Sequence, residues 1–421
     1  MDANRFLTHN LHDPRLLRIL ASAIDAVDPY QAVQKYLPKL TGHVFGLGIG
    51  KAAIPMMDAL TERIPLSGGL AVCKHASGLS RKLFTVIEGG HPVPDARSLT
   101  AGERVLEFVS SLNEDDTLVC LISGGGSALV TSPYVPLEDM QALTSLLLAS
   151  GARIDEINTL RRQLDRLKGG GLARATKARI ISLILSDVVG NPLEAIASGP
   201  TVPDPTTRED ALAILKKYDL EKRTSASIVN FLESKSSLFD SEQLAVRLQN
   251  QTIIIGDNKL AAEAALEQSQ HEGFHVSLIT NQLQGEAREV GVTLAKRLRD
   301  EATMRQRPFC LIAGGETTVT IKGNGKGGRN QELALAAVNE LRDVKNVVLI
   351  SLATDGDDGP TDAAGAVVTG ESARRGESLG LDVSASLVRN DAYPFFEALG
   401  DLIKCGPTGT NVNDLVFLIA I

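Results

Sequence analysis

Short apolar runs alternate with longer stretches of helical periodicity over most of the chain. The first forty residues, 1–40, are themselves helical in pattern. A first series of apolar runs follows, at 43–47, 70–73, 84–87, 118–122 and 180–185. Runs of this length that end in glycine or polar clusters are typical of buried strands. The alternation predicts an α/β fold in which a parallel sheet is covered by helices on both faces.

A second series of apolar runs occupies the other half of the chain, at 252–255, 275–279, 309–313, 347–352 and 414–419. Residues 204–251 are polar and weakly helical, which favours a passage between two lobes. A chain of 421 residues is also too long for one ordinary core. We predict a larger N-terminal domain, 1–240, and a smaller α/β domain, 241–421, on which the helical residues 1–40 are a candidate to pack.

Composition and charge narrow the class of protein. Hydrophobic residues make up 43% and charged residues 22%, and the formal net charge is −8 with no block of Lys and Arg. These values argue against nucleic acid as a partner. No run of about 18 apolar residues and no signal-like N-terminus occurs, so we expect no membrane insertion and a cytoplasmic location. The four cysteines form no close pair and are expected to be reduced.

The first glycine-rich segment follows the first predicted strand. Gly48, Gly50 and Ala53 fit a loose G-x-G-x-x-A pattern, but the segment fails the Walker A consensus. The next predicted strand ends in Cys73-Lys74-His75, without the carboxylate that a dinucleotide ribose requires. The segment therefore predicts a phosphate or carboxylate loop that carries Lys51. The alternative is a tight turn whose lysine is merely exposed.

The second segment is a run of glycines between two serines. Ser123, Gly124, Gly125, Gly126 and Ser127 follow the predicted strand 118–122. Three adjacent glycines are entropically costly in a structured turn, which indicates a close backbone approach to a ligand. A plain turn is the alternative.

The third segment combines glycines with two cations immediately before a helical pattern at 331–341. It contains Gly325, Lys326, Gly327, Arg329 and Asn330. Backbone amides and a guanidinium at the start of a helix are typical of an anion site. A solvated loop is the alternative.

Carboxylates follow several of the predicted strands. Asp187, Glu316 and Asp355 stand at such positions, and Asp355 begins an acidic cluster that ends at Asp362. Since Mg²⁺ prefers one or two carboxylates together with phosphate oxygens and water, these residues are candidate metal ligands. One of them could instead be a base, and each could also be only a turn residue.

Anion loops, isolated cations and strand-end carboxylates occur without a Ser/His/Asp or Cys/His signature. Phosphoryl transfer requires positioning, screening of the transferred group by cations, and a base for the acceptor hydroxyl. The residues match that set of requirements. His91, which lies between Gly90 and two prolines, is either catalytic or structural.

The ordered set of motifs resembles the glycerate 2-kinase family. Its N-terminal motifs are GIGKAA at 48–53, GHPVPD at 90–95, ISGGGSA at 122–128, SDV at 186–188 and ASGPT at 197–201. GGET at 314–317, GKGGRNQE at 325–332 and ATDG at 353–356 are similar to the C-terminal module of the family, called MOFRL.

This resemblance implies a Rossmann-like N-terminal lobe, a smaller MOFRL lobe and an active-site cleft between them. It also implies a phosphotransferase with an alcohol acceptor, which uses ATP and Mg²⁺ to convert (R)-glycerate to 2-phosphoglycerate. Lys51 and Arg329 match the principal active-site cations of the family, and Asp187 matches a pocket carboxylate. The implied partners are small molecules, and a homodimer is left open.

One stretch departs from the family pattern. The family usually has Arg or Lys, His, Leu and Ser before Lys-Gly-Gly, whereas this chain has Arg162-Gln163-Leu164-Asp165 before Lys168. Arg161 and Lys168 remain available to a ligand. Two rival functions stay open at this stage: an NAD(P)H-dependent hydroxypyruvate reductase and a non-catalytic anion-binding protein.

Overall fold

The computed structural model describes residues 1–75, 81–234 and 250–421. The chain forms two compact units, of which one comprises residues 29–255. The other is discontinuous and combines residues 1–28, with helix α1 (Pro14–Asp25), and residues 256–421. The predicted domain boundary at 240/241 lies outside the described residues.

The 29–255 unit is built on a six-stranded sheet of order β3-β2-β1-β4-β5-β6. Neighbouring strands from β3 to β5 are parallel. This is the strand order of a doubly wound dinucleotide-binding fold, and it confirms the predicted Rossmann-like α/β architecture. The strands are β1 (Val44–Ile49), β2 (Gly68–Cys73), β3 (Thr85–Glu88), β4 (Thr117–Ile122), β5 (Arg179–Leu185) and β6 (Gln251–Gly256).

Strand β6 corrects one prediction. The run at 252–255 was expected to open the second series of strands, but it adjoins β5 at the edge of the first sheet. Apolar periodicity identifies a strand without identifying its neighbours, because the pairing is a long-range choice.

Helices surround this sheet and also form a second, helical core. The helices are α2 (Pro29–Tyr36), α3 (Ala53–Arg63), α4 (Ala96–Ser110), α5 (Gly126–Leu129), α6 (Leu137–Ala149), α7 (Ile154–Gln163), α8 (Gly171–Ala175), α9 (Arg208–Lys217) and α10 (Ala226–Glu233). Leucines and isoleucines of α6, α7, α9 and α10 bury one another in a separate cluster. The polar stretch predicted as a passage between lobes therefore contains two packed helices, α9 and α10.

The second unit has a mixed sheet of order β11-β10-β9-β12-β8-β7. Only β7 and β8 are parallel among its described pairs, and the other neighbours are antiparallel. Its strands are β7 (His275–Leu283), β8 (Phe309–Gly315), β9 (Val347–Ala353), β10 (Gly365–Thr369), β11 (Leu402–Ile403) and β12 (Asp414–Ala420). The α/β character predicted for this part of the chain is confirmed, and its sheet is mixed because β9 returns to β10 without a crossover helix.

The helices of the second unit cover both this sheet and α1. They are α11 (Asn258–His271), α12 (Ala287–Met304), α13 (Arg329–Ala337), α14 (Ser372–Ser378), α15 (Val383–Arg389) and α16 (Ala392–Leu399). Residues 1–28 are fixed by specific bonds: the Thr410 hydroxyl donates to the Val27 carbonyl at 2.6 Å, and Asn10 donates to buried Asp401.

The four cysteines are free and buried, as predicted. In the described part of the chain, no helix combines the length and apolar character needed to cross a membrane.

The central strand β12 provides a test of the second core. Phe417 is fully buried and lies between Ile312 of β8 and Ile350 of β9. Phe417→Ala should lower the free energy of unfolding by about 3–5 kcal/mol, because it leaves a cavity at the centre of the sheet. Urea unfolding followed by circular dichroism measures the change. Val388→Ala, at a side chain that is 70% exposed, is the control and should change it by less than about 0.5 kcal/mol.

Candidate active site

Two strand-end loops of the 29–255 unit meet at Gly50 and Ser123. A Cβ at Gly50 would lie 2.2 Å from the Ser123 hydroxyl oxygen and 2.5 Å from its carbonyl oxygen, and Gly50 has a φ of +128°. The Lys51 amide donates to the Gly124 carbonyl at 2.9 Å, and the Ala52 amide donates to the Ser123 hydroxyl at 3.0 Å. Only glycine fits both the backbone and the contact, so the Lys51 loop is fixed against the glycine run.

Three titratable side chains contact the glycine run. A Cβ at Gly124 would lie 2.1 Å from a carboxylate oxygen of Asp187. One at Gly125 would lie 3.1 Å from His91 Nε2 and 3.5 Å from Lys51 Cγ. Lys51 comes from the end of β1, Gly124 from the end of β4 and Asp187 from the end of β5. The structure thus brings these predicted residues together at the carboxyl edge of the sheet, where ligands of such folds bind.

His91 is a member of this group that the sequence left undecided between a catalytic and a structural role. Burial lowers its pKa, and the positive charges of Lys51 and Lys74 lower it further. The ring is therefore neutral at pH 7. Its buried Nδ1 has no hydrogen-bond partner among the described residues. The signal in the sequence was its place between Gly90 and two prolines.

The other predicted residues of these loops have packing roles in the structure. A Cβ at Gly48 would lie 2.8 Å from Met57 of α3, so this glycine allows close packing of helix on strand. Gly126 similarly faces Ala197. The Ser127 and Ser198 hydroxyls are hydrogen-bonded at 2.8 Å. A ligand role for Gly48 and Gly126 stays a prediction.

The ASGPT motif forms a strained turn beside Ser127. Ala197 and Ser198 have φ values of 49° and 60°, which non-glycine residues adopt at a cost. The turn is held from outside, because the amides of Gly169 and Gly170 donate to the carbonyls of Ser198 and Gly199 at 2.9 and 2.7 Å. This clamp fixes the position of the Ser198 hydroxyl.

In the second unit, Arg329 opens helix α13 and is held by two carboxylates. Its guanidinium donates to both carboxylate oxygens of Asp414, at 2.6 and 3.0 Å, and to Glu316 at 2.7 Å. Burial acts to lower the pKa of Arg329, but the pairs with Asp414 and Glu316 outweigh it and the pKa lies above its ordinary value. Arg329 is therefore a fixed and permanent positive charge, one third exposed.

The glycine-rich loop before α13 uses much of its hydrogen-bonding capacity within the protein. The amides of Gly325 and Lys326 donate to the Arg389 carbonyl and the Asp391 carboxylate, each at 2.9 Å. The Lys326 ammonium lies 3.8 Å from the centre of the Tyr393 ring. An anion-binding role for Gly325, Lys326 and Gly327 stays a prediction. The amides of Gly325 and Lys326 already donate within the protein, so they are not available to bind an anion.

Asp358 occupies the start of α13. Its carboxylate accepts from the amides of Asn330 and Gln331 at 3.1 and 2.8 Å, and it is buried. Burial raises its pKa to about 7, with a further contribution from the charge of Asp414. The Asn330 amide, predicted to bind an anionic ligand, is thus already satisfied by a residue of the acidic cluster.

The predicted metal ligands do not form one cluster. Among the described residues, no group of three or more His, Cys, Asp or Glu side chains is placed to hold a metal ion. Glu316 is paired with Arg329, and the Asp355 carboxylate accepts from the Asp357 amide at 3.2 Å. Asp187 belongs to the other unit. Their role as magnesium ligands stays a prediction.

Comparison with known proteins defines the class of this two-unit α/β chain. Residues 15–233 match a family described as a domain of unknown function, DUF4147, and residues 309–414 match the MOFRL family. A glycerate 2-kinase of Pyrococcus horikoshii is 41% identical over 96% of each chain. A D-glycerate 2-kinase of Thermotoga maritima is 42% identical over 96% of this chain and 99% of its own.

A solved structure agrees with the sequence relatives. The crystal structure of a glycerate kinase from Thermotoga maritima, 41% identical, superposes with a TM-score of 0.88 over 97% of this chain and 99% of that one. The chain belongs to the glycerate kinase family with a C-terminal MOFRL domain. One relative carries another name: a provisionally named hydroxypyruvate reductase of Agrobacterium vitis, 38% identical over 95% of this chain and 92% of its own.

The buried carboxyl of Asp358 makes a prediction about stability and pH. Because its folded pKa, about 7, exceeds the ordinary value of 3.8, the folded state holds an extra proton between these pH values. Stability from this group is therefore present at low pH and is lost as the pH rises towards 7. Between pH 4.5 and 6.5, the free energy of unfolding of the wild type should fall, relative to that of Asp358→Asn, by up to about 1.4 kcal/mol per pH unit.

Urea titrations of both proteins across this pH range give the comparison. Asp382→Asn is the control, since Asp382 caps the exposed start of α15. If the difference in free energy of unfolding between wild type and Asp358→Asn does not change with pH, Asp358 is ionised throughout and the prediction is wrong.

Proposed function

We propose that this protein transfers the γ-phosphoryl group of ATP to the 2-hydroxyl of (R)-glycerate, giving 2-phosphoglycerate and ADP. The observation that carries the proposal is the convergence of Lys51, His91 and Asp187 on the glycine run Gly124–Gly125. Membership of the glycerate kinase family, and the names of the two relatives above 40% identity, support the choice of acceptor and position.

In this proposal Asp187 is the base. Its carboxylate accepts the proton of the C2 hydroxyl as that oxygen bonds to the γ-phosphorus and the bond to the β-phosphate oxygen breaks. Lys51 stabilises the negative charge on the transferred group, since its loop is fixed on Gly124 at 2.9 Å. His91 is neutral, and its Nε2, which would lie 3.1 Å from a Cβ at Gly125, offers a hydrogen bond to the same group.

Arg329 supplies the second cation of the proposal. Asp414 and Glu316 hold its guanidinium in one orientation, so little conformational freedom is lost when it meets an anion. Lys51 and Arg329 come from different units, and the proposal assigns each of them the neutralisation of an anionic group of the substrates. Ser123, Ser127 and Gly327 keep secondary binding roles in the proposal. Asn330 has none in it, because its amide and side chain are engaged by Asp358 and Ser351.

Magnesium fits the carboxylate chemistry of the chain in a limited way. Mg²⁺ bound with a nucleotide requires only one or two protein carboxylates, because phosphate oxygens and water complete its shell. Because Asp187 is the base in this proposal, Glu316 and Asp355 of the second unit are the candidate magnesium ligands. When bound, the ion would neutralise charge on the phosphates.

A cytoplasmic location, a homodimer and the lack of a nucleic-acid partner complete the proposal. The net charge of −8 without a basic cluster supports the last of these.

Hydroxypyruvate reduction is the second candidate function, favoured by the name of one relative. Strand β2 ends at Cys73 and is followed by Lys74 and His75, so it presents no carboxylate to a dinucleotide ribose. Oxidation of NADH or NADPH in the presence of hydroxypyruvate measures this activity directly.

The proposal is tested by incubating the protein with ATP, Mg²⁺ and D-glycerate and following the products by phosphorus NMR. We expect the resonances of ADP and 2-phosphoglycerate. A 3-phosphoglycerate signal would contradict the assigned position. ATP and glycerate binding without transfer would identify an anion-binding protein, and nicotinamide oxidation a reductase.

The cation of the first unit gives a sharper prediction. Lys51→Ala should lower kcat about 100-fold, because it removes a positive charge from the developing phosphoryl transition state. Lys82→Ala, at an exposed lysine of the same unit, is the matched control and should leave kcat unchanged. A coupled ADP assay measures both. If Lys51→Ala has the kcat of the wild type, Lys51 has no role in the catalytic step.

A further inference from the structure

A cavity of about 290 Å³ lies within the 29–255 unit, beside the glycine run. Gly125 and Ser127 line one side of it, so it adjoins the residues that Lys51 and His91 contact. Most of the wall is aliphatic, from the prolines at 92 and 94 and from Leu137, Met140 and Leu148. This is near the lower end of the size range of small-molecule sites and has their usual apolar lining.

Two adjacent arginines at the end of α7 have opposite environments. Arg162 is buried and paired with Asp204 at 2.8 Å. Arg161 lines the cavity and has no carboxylate partner among the described residues, and its one hydrogen bond is a long contact of 3.5 Å to Asn158. Burial lowers the pKa of Arg161, yet an arginine remains charged at pH 7. Its charge is therefore partly desolvated and uncompensated.

Lys168, the other cation of the cavity wall, is already satisfied. Its ammonium donates to Asp165 at 2.7 Å, to the Val130 carbonyl at 3.2 Å and to the Thr131 hydroxyl at 3.3 Å. An ammonium has three N–H donors, so none is left for a ligand. Asp165 stands at the position where the family pattern has serine, and in this chain it neutralises Lys168. Arg161 is thus the cation that the cavity offers to a ligand.

The hydroxyl groups of the wall complement an alcohol. Thr144 donates to the Met140 carbonyl at 2.9 Å and Ser145 donates to the Gln141 carbonyl at 3.0 Å, both within α6. Each oxygen keeps lone pairs that can accept from a ligand hydroxyl. One guanidinium fork matches one carboxylate, whereas a nucleotide's phosphates would require more positive charge.

We propose that this cavity is the acceptor subsite and that Arg161 binds the carboxylate of a short hydroxy acid there. The inference rests on the proposed function and deepens it, because it assigns the phosphoryl group and the acceptor carboxylate to different binding residues. Lys51 and the glycine run serve the phosphoryl group, and Arg161 serves the acid. A bidentate carboxylate pair with an arginine in an apolar wall is stronger than an exposed one.

Arg161→Gln tests the assignment in the full-length protein. The KM for D-glycerate should rise about 10- to 100-fold, the range for loss of hydrogen bonds to a charged group. The KM for ATP should stay unchanged and kcat should change little, because this carboxylate is bound equally in the ground and transition states. Arg166→Gln is the matched control: Arg166 is exposed, lies five residues further on and does not line the cavity.

Each outcome decides the matter. A glycerate KM within twofold of wild type, or a rise in the KM for ATP instead, overturns the assignment. If Arg161→Gln does not fold, Arg161→Lys replaces it and should raise the glycerate KM by a smaller factor, because lysine keeps the charge without the fork. If the wild type does not phosphorylate glycerate, the proposed function fails, and calorimetry with D-glycerate alone decides. Weaker binding by Arg161→Gln then supports the subsite, and equal or absent binding overturns it.

Discussion

The close contact between Gly50 and Ser123 is the constraint on which the first site depends. Two neighbouring parallel strands, β1 and β4, deliver their loops to the same edge, and the loops touch backbone to backbone. A side chain at Gly50 would separate them and break the bond from the Lys51 amide to Gly124. Because the same glycine run contacts Asp187 and His91, one steric requirement fixes the places of three functional groups. The glycines are therefore required first because they let the two loops pack closely, and this packing leaves the glycine run accessible to a ligand.

The sequence was sufficient to predict what depends on local pattern. Most strands lie within a few residues of their predicted places, and the motifs at the ends of β1, β4 and β5 meet as the rule for parallel sheets requires. Long-range pairing was out of reach. The local sequence does not indicate that β6 pairs with the first sheet, or that β12 lies between β8 and β9. The short strand β11, with two residues, is too brief to leave a periodic signal.

Side-chain partnerships were the second limit of the sequence. Glycines and cations at 325–330 have the composition of an anion loop, yet the acceptors of several amides, Arg389, Asp391 and Asp358, come from distant positions. The adjacent arginines of α7 make the same point. Their identity in sequence gives no indication that one is paired with Asp204 and the other faces a cavity. Such differences depend on which carboxylate the fold places nearby.

Strand β12 has a consequence for the order in which the chain can assemble. It is the latest of the six strands in chain order, yet it lies at the centre of its sheet and pairs with both β8 and β9. Until it leaves the ribosome, the pair β7–β8 and the group β9–β11 have no shared partner strand. The 29–255 unit, by contrast, has all its strands well before then. During synthesis the second sheet therefore stays incomplete until β12 emerges, and its exposed apolar surface is open to chaperones until then.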